Sequence, residues 1–377
     1  MLFSAIPGQK EVKEKLVQMV ANNRLSHALL FLGKEGSGAL QLANALAQYI
    51  VCENKKEDAC GTCASCKKAA GLVHPDIHFS FPTITRTGIE KPVCNDFIED
   101  WRTFNAEMPY GNTFDWLQCL DAENKQGNIT AHECEDIIRK LSLKSFESGY
   151  KILIQWMPEY LGTSGNKLLK VIEEPAPNTL FILVAEDESK ILPTILSRTQ
   201  LVKINRLSSS EIQSWLIEHR QVPKEKAAVI APLAQGNLRD ALHLLQQADE
   251  NWQELLREWL NAILKNGPPA QVKWVEEVSK LGREKQKQFI GFFIHLLSIS
   301  VYMANNETPK DVAADEIDFA TRLIKLADTP QIQAMVDELN KSIYYIERNA
   351  NPKMLFMALS IKFYHIIKDK SVILVNY

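Results

Sequence analysis

Four of the seven cysteines, Cys52, Cys60, Cys63 and Cys66, fall within fifteen residues in the spacing C-x7-C-x2-C-x2-C. Thiolates two residues apart can bind one tetrahedral ion, and four of them close its coordination shell. The chemistry this implies is structural Zn2+, not a catalytic metal with an open position for water. Iron–sulfur ligation and free or partly oxidised thiols are the other readings of the same spacing. Cys94, Cys119 and Cys134 are scattered and read as structural. His74, Asp76 and His78 would share one face of an extended segment. That segment is either a second metal site or a turn running into a strand.

A second stretch points to phosphate chemistry. Gly33-Lys34-Glu35-Gly36-Ser37-Gly38-Ala39-Leu40 follows the apolar run Ala28–Leu32. It precedes Leu42, Ala45, Leu46, Tyr49 and Ile50, which are spaced as a helix. A glycine turn between a strand and a helix is where backbone N–H groups cradle phosphates, although such turns also occur without a ligand. Gly33, Gly36, Ser37 and Gly38 are therefore candidate cofactor-binding residues. A hydrolysing loop ends in Lys followed by Ser or Thr, for the outer phosphates and Mg2+. Ala39 and Leu40 stand in those places here, and Lys34 lies at the other end of the loop. Losing one charged contact costs roughly 1.5–3 kcal/mol, about 10- to 100-fold in affinity. A hydrolase also needs acidic residues just after its next core strand. After Lys151-Ile152-Leu153-Ile154 come Gln155-Trp156-Met157-Pro158, and Glu159 is the first acid. With both halves missing, productive ATP binding is not expected.

The elements that must carry these residues are legible as periodicity. Ala28–Leu32, Lys151–Ile154, Thr179–Val184 and Leu201–Ile204 are buried-strand candidates separated by helical patterns. Their alternation predicts an α/β core, a parallel sheet with helices on both faces. Ser208-Ser209-Ser210-Glu211 fits a capping box, and from there only helices are expected: Glu254–Leu264, Val272–Leu281, Lys285–Val301, Asp315–Ala327, Thr329–Arg348 and Lys353–Lys368. The predicted organisation is 1–205 for the sheet domain, 206–250 for a small helical lid and 251–377 for an all-helical domain. The sheet domain contains the cysteine module (52–66) and an insertion near 80–128. Phe97, Trp101 and Phe104 form one helical face of that insertion, which is expected to pack on the sheet. The chain has 377 residues, 46% of them apolar, which excludes wholesale disorder. A net charge of −3 argues against a chain that coats nucleic acid alone. No run of about 18 uninterrupted apolar residues suggests a membrane span. Met1–Gly8 lacks the basic region and apolar core of a signal peptide.

Together these residues resemble the delta-prime family of bacterial DNA polymerase III clamp-loader subunits, within the AAA+ class. The resemblance rests on Ile6-Pro7-Gly8-Gln9, Arg24-Leu25-Ser26-His27-Ala28, the cysteine module and His74-Pro75-Asp76. It extends through Asn166–Pro175, Leu192–Thr199 and Gly236-Asn237-Leu238-Arg239-Asp240-Ala241. These motifs span about residues 5–245. The resemblance implies a non-hydrolysing member of a hetero-pentameric ring with gamma or tau and delta subunits. That ring, part of a DNA polymerase complex, loads a sliding clamp on primer–template DNA. The helical C-terminal domain would be the oligomerising collar. Arg198 would be an arginine finger for the neighbouring subunit's ATP, and Arg239 a sensor of phosphates at the chain's own loop. Lys167 and Lys170 would face template DNA, and the chain would be cytoplasmic. Ser197-Arg198-Thr199 departs from the family's Ser-Arg-Cys but keeps the arginine. Two other functions remain in view, an ATP-hydrolysing clamp-loader motor and a zinc-dependent DNA-binding module.

Overall fold

The computed structural model describes residues 1–122, 125–246, 252–304, 314–348 and 350–370. They divide into two compact units: Met1–Val222 with Ala234–Leu244, and Pro223–Leu233 with the described residues from Leu245 onward. The boundary expected at 250 lies outside the described residues.

The first unit is built on one five-stranded parallel sheet. Its strands are β1 (Ala28–Gly33), β2 (Ile77–Ser80), β3 (Lys151–Trp156), β4 (Thr179–Ala185) and β5 (Gln200–Ile204), in the order β2-β3-β4-β1-β5. Leu30 of β1 stands opposite Leu183 of β4 and Leu201 of β5. Parallel strands need long crossovers, and helices in those crossovers cover both faces. The strands are therefore continuous apolar runs whose side chains alternate between two cores. Leu29, Phe31, Ile152, Ile154, Leu180 and Ile182 face the core shared with the helix Ala39–Val51. Leu30, Leu153, Phe181 and Leu183 face the core shared with the helix Ala131–Ser142. The apolar runs in the sequence thus identify four of the strands. The fifth, Ile77–Ser80, is the strand that the His74-Pro75-Asp76 turn runs into.

The insertion folds as the helices Ile98–Glu107 and Thr113–Cys119, and it packs on the sheet. Trp101 lies stacked 4.3 Å from Phe81, 5.3 Å from Trp116 and 5.2 Å from Trp156 at the end of β3. Trp116 Nε1 donates to the Pro82 carbonyl at 2.7 Å, so its one polar group is satisfied in the core. Ser208 opens the helix Ser209–Arg220 with the expected capping box, its side chain accepting from Glu211 N while Glu211 accepts from Ser208 N.

The second unit is all-helical among its described residues: Lys224–Leu233, Trp252–Asn261, Pro268–Val278, Arg283–Ala304, Ala314–Leu326, Thr329–Glu347 and Pro352–Lys368. Trp259 and Trp274 stack at 4.7 Å in its core, and Trp259 Nε1 donates to Ser360 Oγ. Lys285–Ala304 is long and apolar enough to cross a membrane by length and composition. Polar residues such as Lys287, Gln288, His295 and Ser298 interrupt its apolar run. Its Phe289, Ile290, Phe293 and Leu296 are buried in the core of the helical unit.

Candidate functional site

The helix Ala39–Val51 ends at Cys52, and Cys63 caps the start of the helix Ala64–Ala70 by accepting from Cys66 N. These two helix ends bring the cysteines together: the sulfurs of Cys52, Cys60, Cys63 and Cys66 all lie within 4.8 Å of one another. Backbone N–H groups point at them. Cys60 N donates to Cys52 Sγ at 3.2 Å, and Cys63 N donates to Cys60 Sγ at 3.4 Å. The N–H groups of Cys63 and Thr62 bring the Cys60 thiol down to about 6, whereas burial pushes Cys66 up to about 12. Four converging sulfurs with donors behind them can coordinate a metal, and a four-sulfur set suits a closed tetrahedral shell. Among the described residues this is the one such group.

His74, Asp76 and His78 are not brought into a second cluster. Asp76 accepts from Phe146 N, Glu147 N and Ser148 N at 2.5–2.8 Å and so ties down the loop before β3. Burial opposes its ionisation, but those N–H groups hold its carboxyl below the usual range. His74 Nδ1 accepts from Asp76 N, so these residues form a turn.

The glycine loop leaves the carboxyl end of β1, next to the ends of β3 and β4. It turns into the helix through Gly36 and Gly38, both at positive φ (69° and 88°). Its lining is complete in place but not in chemistry. Trp156 and Met157 stand where acids would hold Mg2+, and Pro109, Tyr110 and Gly111 of the insertion close the opposite side. The cleft is open to solvent on one side, and about 30 Å³ of it is wide enough to take the centre of a water molecule. Lys34 Nζ donates to the Glu186 carbonyl instead of reaching into the loop. Burial, with Glu35 and Glu159 nearby, pushes the Glu186 carboxyl up to about 8. Glu159 is also held up by burial, while it accepts from Glu186 N and Asp187 N. A carboxyl held up at about 8 is mostly protonated at neutral pH, so Glu186 offers a phosphate no positive charge there.

Arg239 is brought to the loop but is engaged there by protein. Its Nε and Nη2 donate to the two carboxylate oxygens of Asp115 at 2.5 Å each, and its Nη1 lies 3.2 Å from Glu35 Oε1. Leu238 N donates to the Gly36 carbonyl, and a Cβ at Gly36 would fall 1.8 Å from Asn237 Oδ1. Gly33, Gly36, Ser37, Gly38 and Arg239 therefore form one constellation. Asp115, Tyr110, Glu35 and Glu186 complete it, and sequence reasoning missed them. Asp115 carried only the signature of a helix cap with Asn112, which it also is.

Arg198 lies outside this constellation, on the turn after Pro193–Leu196. It donates to Glu173 Oε2 at 3.1 and 3.3 Å and to the Thr194 carbonyl at 3.0 Å, with about a third of the side chain exposed. Lys167 pairs with Glu135, and Lys170 is exposed on the helix Leu169–Glu173.

Residues 8–208 match the family model described as DNA polymerase III, delta subunit. Over 236 residues the chain is 28% identical to DNA polymerase III subunit delta' of Bacillus subtilis, covering 63% of this chain and 59% of that protein. It is 24% identical to subunit tau of the same organism over 386 residues, covering 96% of this chain and 61% of that one. The chain thus spans about three fifths of the length of these relatives. A crystal structure of a gamma subunit-related protein from Thermotoga maritima aligns over 93% of this chain and 98% of its own, at 16% identity and a TM-score of 0.39. The chain belongs to the clamp-loader-related DNA polymerase III delta/delta' family, and its features are those of a delta-prime type.

Proposed function

We propose that this family member is a non-hydrolysing clamp-loader subunit that completes a neighbour's ATP site with Arg198. The observation that carries the reading is the state of its own loop: the cleft at Gly33–Leu40 is lined by Tyr110, Trp156 and Met157 in place of a lysine and metal-binding acids, and Arg239 is committed to Asp115 and Glu35. A site so lined lacks the side-chain lysine and acids that would hold Mg·ATP, and its one arginine is already engaged.

Arg198 suits the other half of the role. A guanidinium stays charged and presents several donors to phosphate oxygens. Its partner, Glu173, is more than half exposed, so the pair is weak and exchangeable. Arginine fingers contribute about 10³–10⁵ in hydrolysis rate. In this reading the chain joins gamma or tau and delta subunits in a hetero-pentameric ring in the cytoplasm. The helical residues 251–377 form the collar, and 206–250 the lid. The four cysteines hold structural Zn2+, and Lys167 and Lys170 approach primer–template DNA while the ring loads the sliding clamp. A second reading, an ATP-driven motor, draws on the similarity to a tau subunit along 96% of the chain.

Phosphate release by the reconstituted ring separates the two. The finger reading expects no turnover by this chain alone and a fall of at least ~100-fold at the neighbouring site with Arg198→Ala. Ring assembly should be intact in that variant. Unchanged ring hydrolysis in an assembled Arg198→Ala complex would sink the reading.

A further inference from the structure

We propose that the inserted segment Pro109–Asp115 is an internal ligand of the degenerate loop, holding Arg239 and the loop in the arrangement that a bound nucleotide would otherwise impose. The proposal rests on the non-hydrolysing reading above and adds what has replaced the nucleotide.

Three observations carry it. First, Asp115 presents a carboxylate to Arg239 in two parallel hydrogen bonds of 2.5 Å, the fork geometry with which arginine binds a phosphate or carboxylate. Both side chains are 2–3% exposed, so the pair is desolvated, and removing the Asp115 charge takes away the forked partner of Arg239 and leaves it single-oxygen contacts to Glu35 and Asp240. Second, the segment lines the cleft. Pro109, Tyr110 and Gly111 form its wall, and the Tyr110 ring packs beside Gly38 at the start of the loop helix. There a Cβ on Gly38 would lie 3.6 Å from Tyr110 Cε1. The same ring meets Trp215 of the helix Ser209–Arg220 edge-on at 5.7 Å. Third, the path of the segment is fixed from behind. A Cβ on Gly111 would fall 2.7 Å from the Phe104 ring, so the chain turns hard against the insertion's aromatic core. Asn112 and Asp115 then cap each other at the start of the helix Thr113–Cys119. One end of the segment thus touches the loop and the helix Ser209–Arg220, and the other holds the helix that begins at Leu238. These are parts that a nucleotide would bridge. Here they are bridged permanently, which gives the unit one conformation instead of a nucleotide-dependent pair.

The test compares wild type with Asp115→Asn, which keeps the shape and the cap but removes the charge. Amide hydrogen exchange of the zinc-loaded full chain is followed with and without millimolar Mg·ATP. In Asp115→Asn, exchange within residues 33–40 and 236–244 should quicken on the order of 10- to 100-fold, with β3 and β4 unchanged. Mg·ATP should slow it again in the variant and have no effect on wild type. If Asp115→Asn does not fold, Tyr110→Ala carries the same test from the other end of the segment. A folded variant whose loop exchanges at the wild-type rate overturns the proposal, as does a quickened loop that Mg·ATP leaves unchanged. Slowing of the wild-type loop by Mg·ATP would also overturn the proposal, and only phosphate release by the same chain would overturn the non-hydrolysing reading itself.

Discussion

The helix Ala39–Val51 carries a candidate site at each end, and the two ends have opposite fates. At its carboxyl end, four sulfurs converge within 4.8 Å around one point, and backbone N–H groups face them. At its amino end, where a helix favours an anion, the charged groups are engaged by the chain itself, Arg239 by Asp115 and Glu35, Lys34 by a backbone carbonyl and Glu159 by two backbone N–H groups, while Ser37 Oγ stays buried without a partner. A site in use keeps its donors aimed at a place left for something else. On the proposed reading, the amino end is a site whose charged side chains are already paired within the chain, an arrangement that is costly to undo once it is buried.

The sharpest way to break this contrast is to empty the end held to be in use. Chelation of the metal, or Cys60→Ser with Cys63→Ser, should lower the melting temperature of the sheet-containing unit by at least ~10 °C. A four-sulfur zinc site contributes on the order of 10 kcal/mol to folding, and each kcal/mol is worth about 2–4 °C in a unit of this size. Zinc content and differential scanning calorimetry check it, and an unchanged melt with the metal gone would remove the module from the structural account.

The next effect lies at the amino end and depends on pH. Glu186 is raised to about 8 by burial and by its neighbours Glu35 and Glu159, so the folded chain binds a proton there that the unfolded chain has released. Between its ordinary range near 4.5 and about 8, the folded state holds more protons than the unfolded state, and stability falls as pH rises. Glu186→Gln mimics the protonated form. It should therefore match wild type near pH 4.5, gain on it steadily up to about pH 8 and keep a constant lead above that, on the order of a few kcal/mol. Urea titrations across this range read the difference. A lead independent of pH would remove the raised Glu186 carboxyl from the account.

Restoring the lost loop residues sharpens the comparison further. Ala39→Lys with Leu40→Thr returns the side-chain types of a working loop, yet phosphate release should stay at background. Tyr110 and Trp156 still line the cleft, and Asp115 still holds its arginine. Both positions are buried, so the double variant should lose about 1–3 kcal/mol. The smallest effect belongs to Arg198. In the isolated chain, Arg198→Ala should change stability by less than ~1 kcal/mol, because its pair with Glu173 is exposed. A larger loss in thermal melts would mark Arg198 as structural.

The sheet was legible because strands buried on both faces are written as apolar runs such as Thr179–Ala185. Strand β2 was read only as the strand after a turn, since four residues carrying His78 and Ser80 make a weak run. The cysteine module was legible because its ligands are local and their spacing is the signal. The loop's departure from a hydrolysing pattern could be read from Ala39, Leu40, Trp156 and Met157, but which distant residues line its cleft could not. Asp115 and Arg239 are 124 residues apart, and nothing local in either marks the other. The spacing of Phe97, Trp101 and Phe104 showed that one face of the insertion is apolar. Periodicity gives a face but not its partner, so Trp156 as a target emerged only from the fold.

The most direct test of the central claim is calorimetric titration of Mg·ATP into the zinc-loaded chain. The account predicts no heat of binding up to millimolar nucleotide, because the cleft lacks the lysine and acids that hold Mg·ATP, is walled by Tyr110 and Trp156, and has its arginine already held by Asp115. Micromolar binding, above all with turnover, would contradict it.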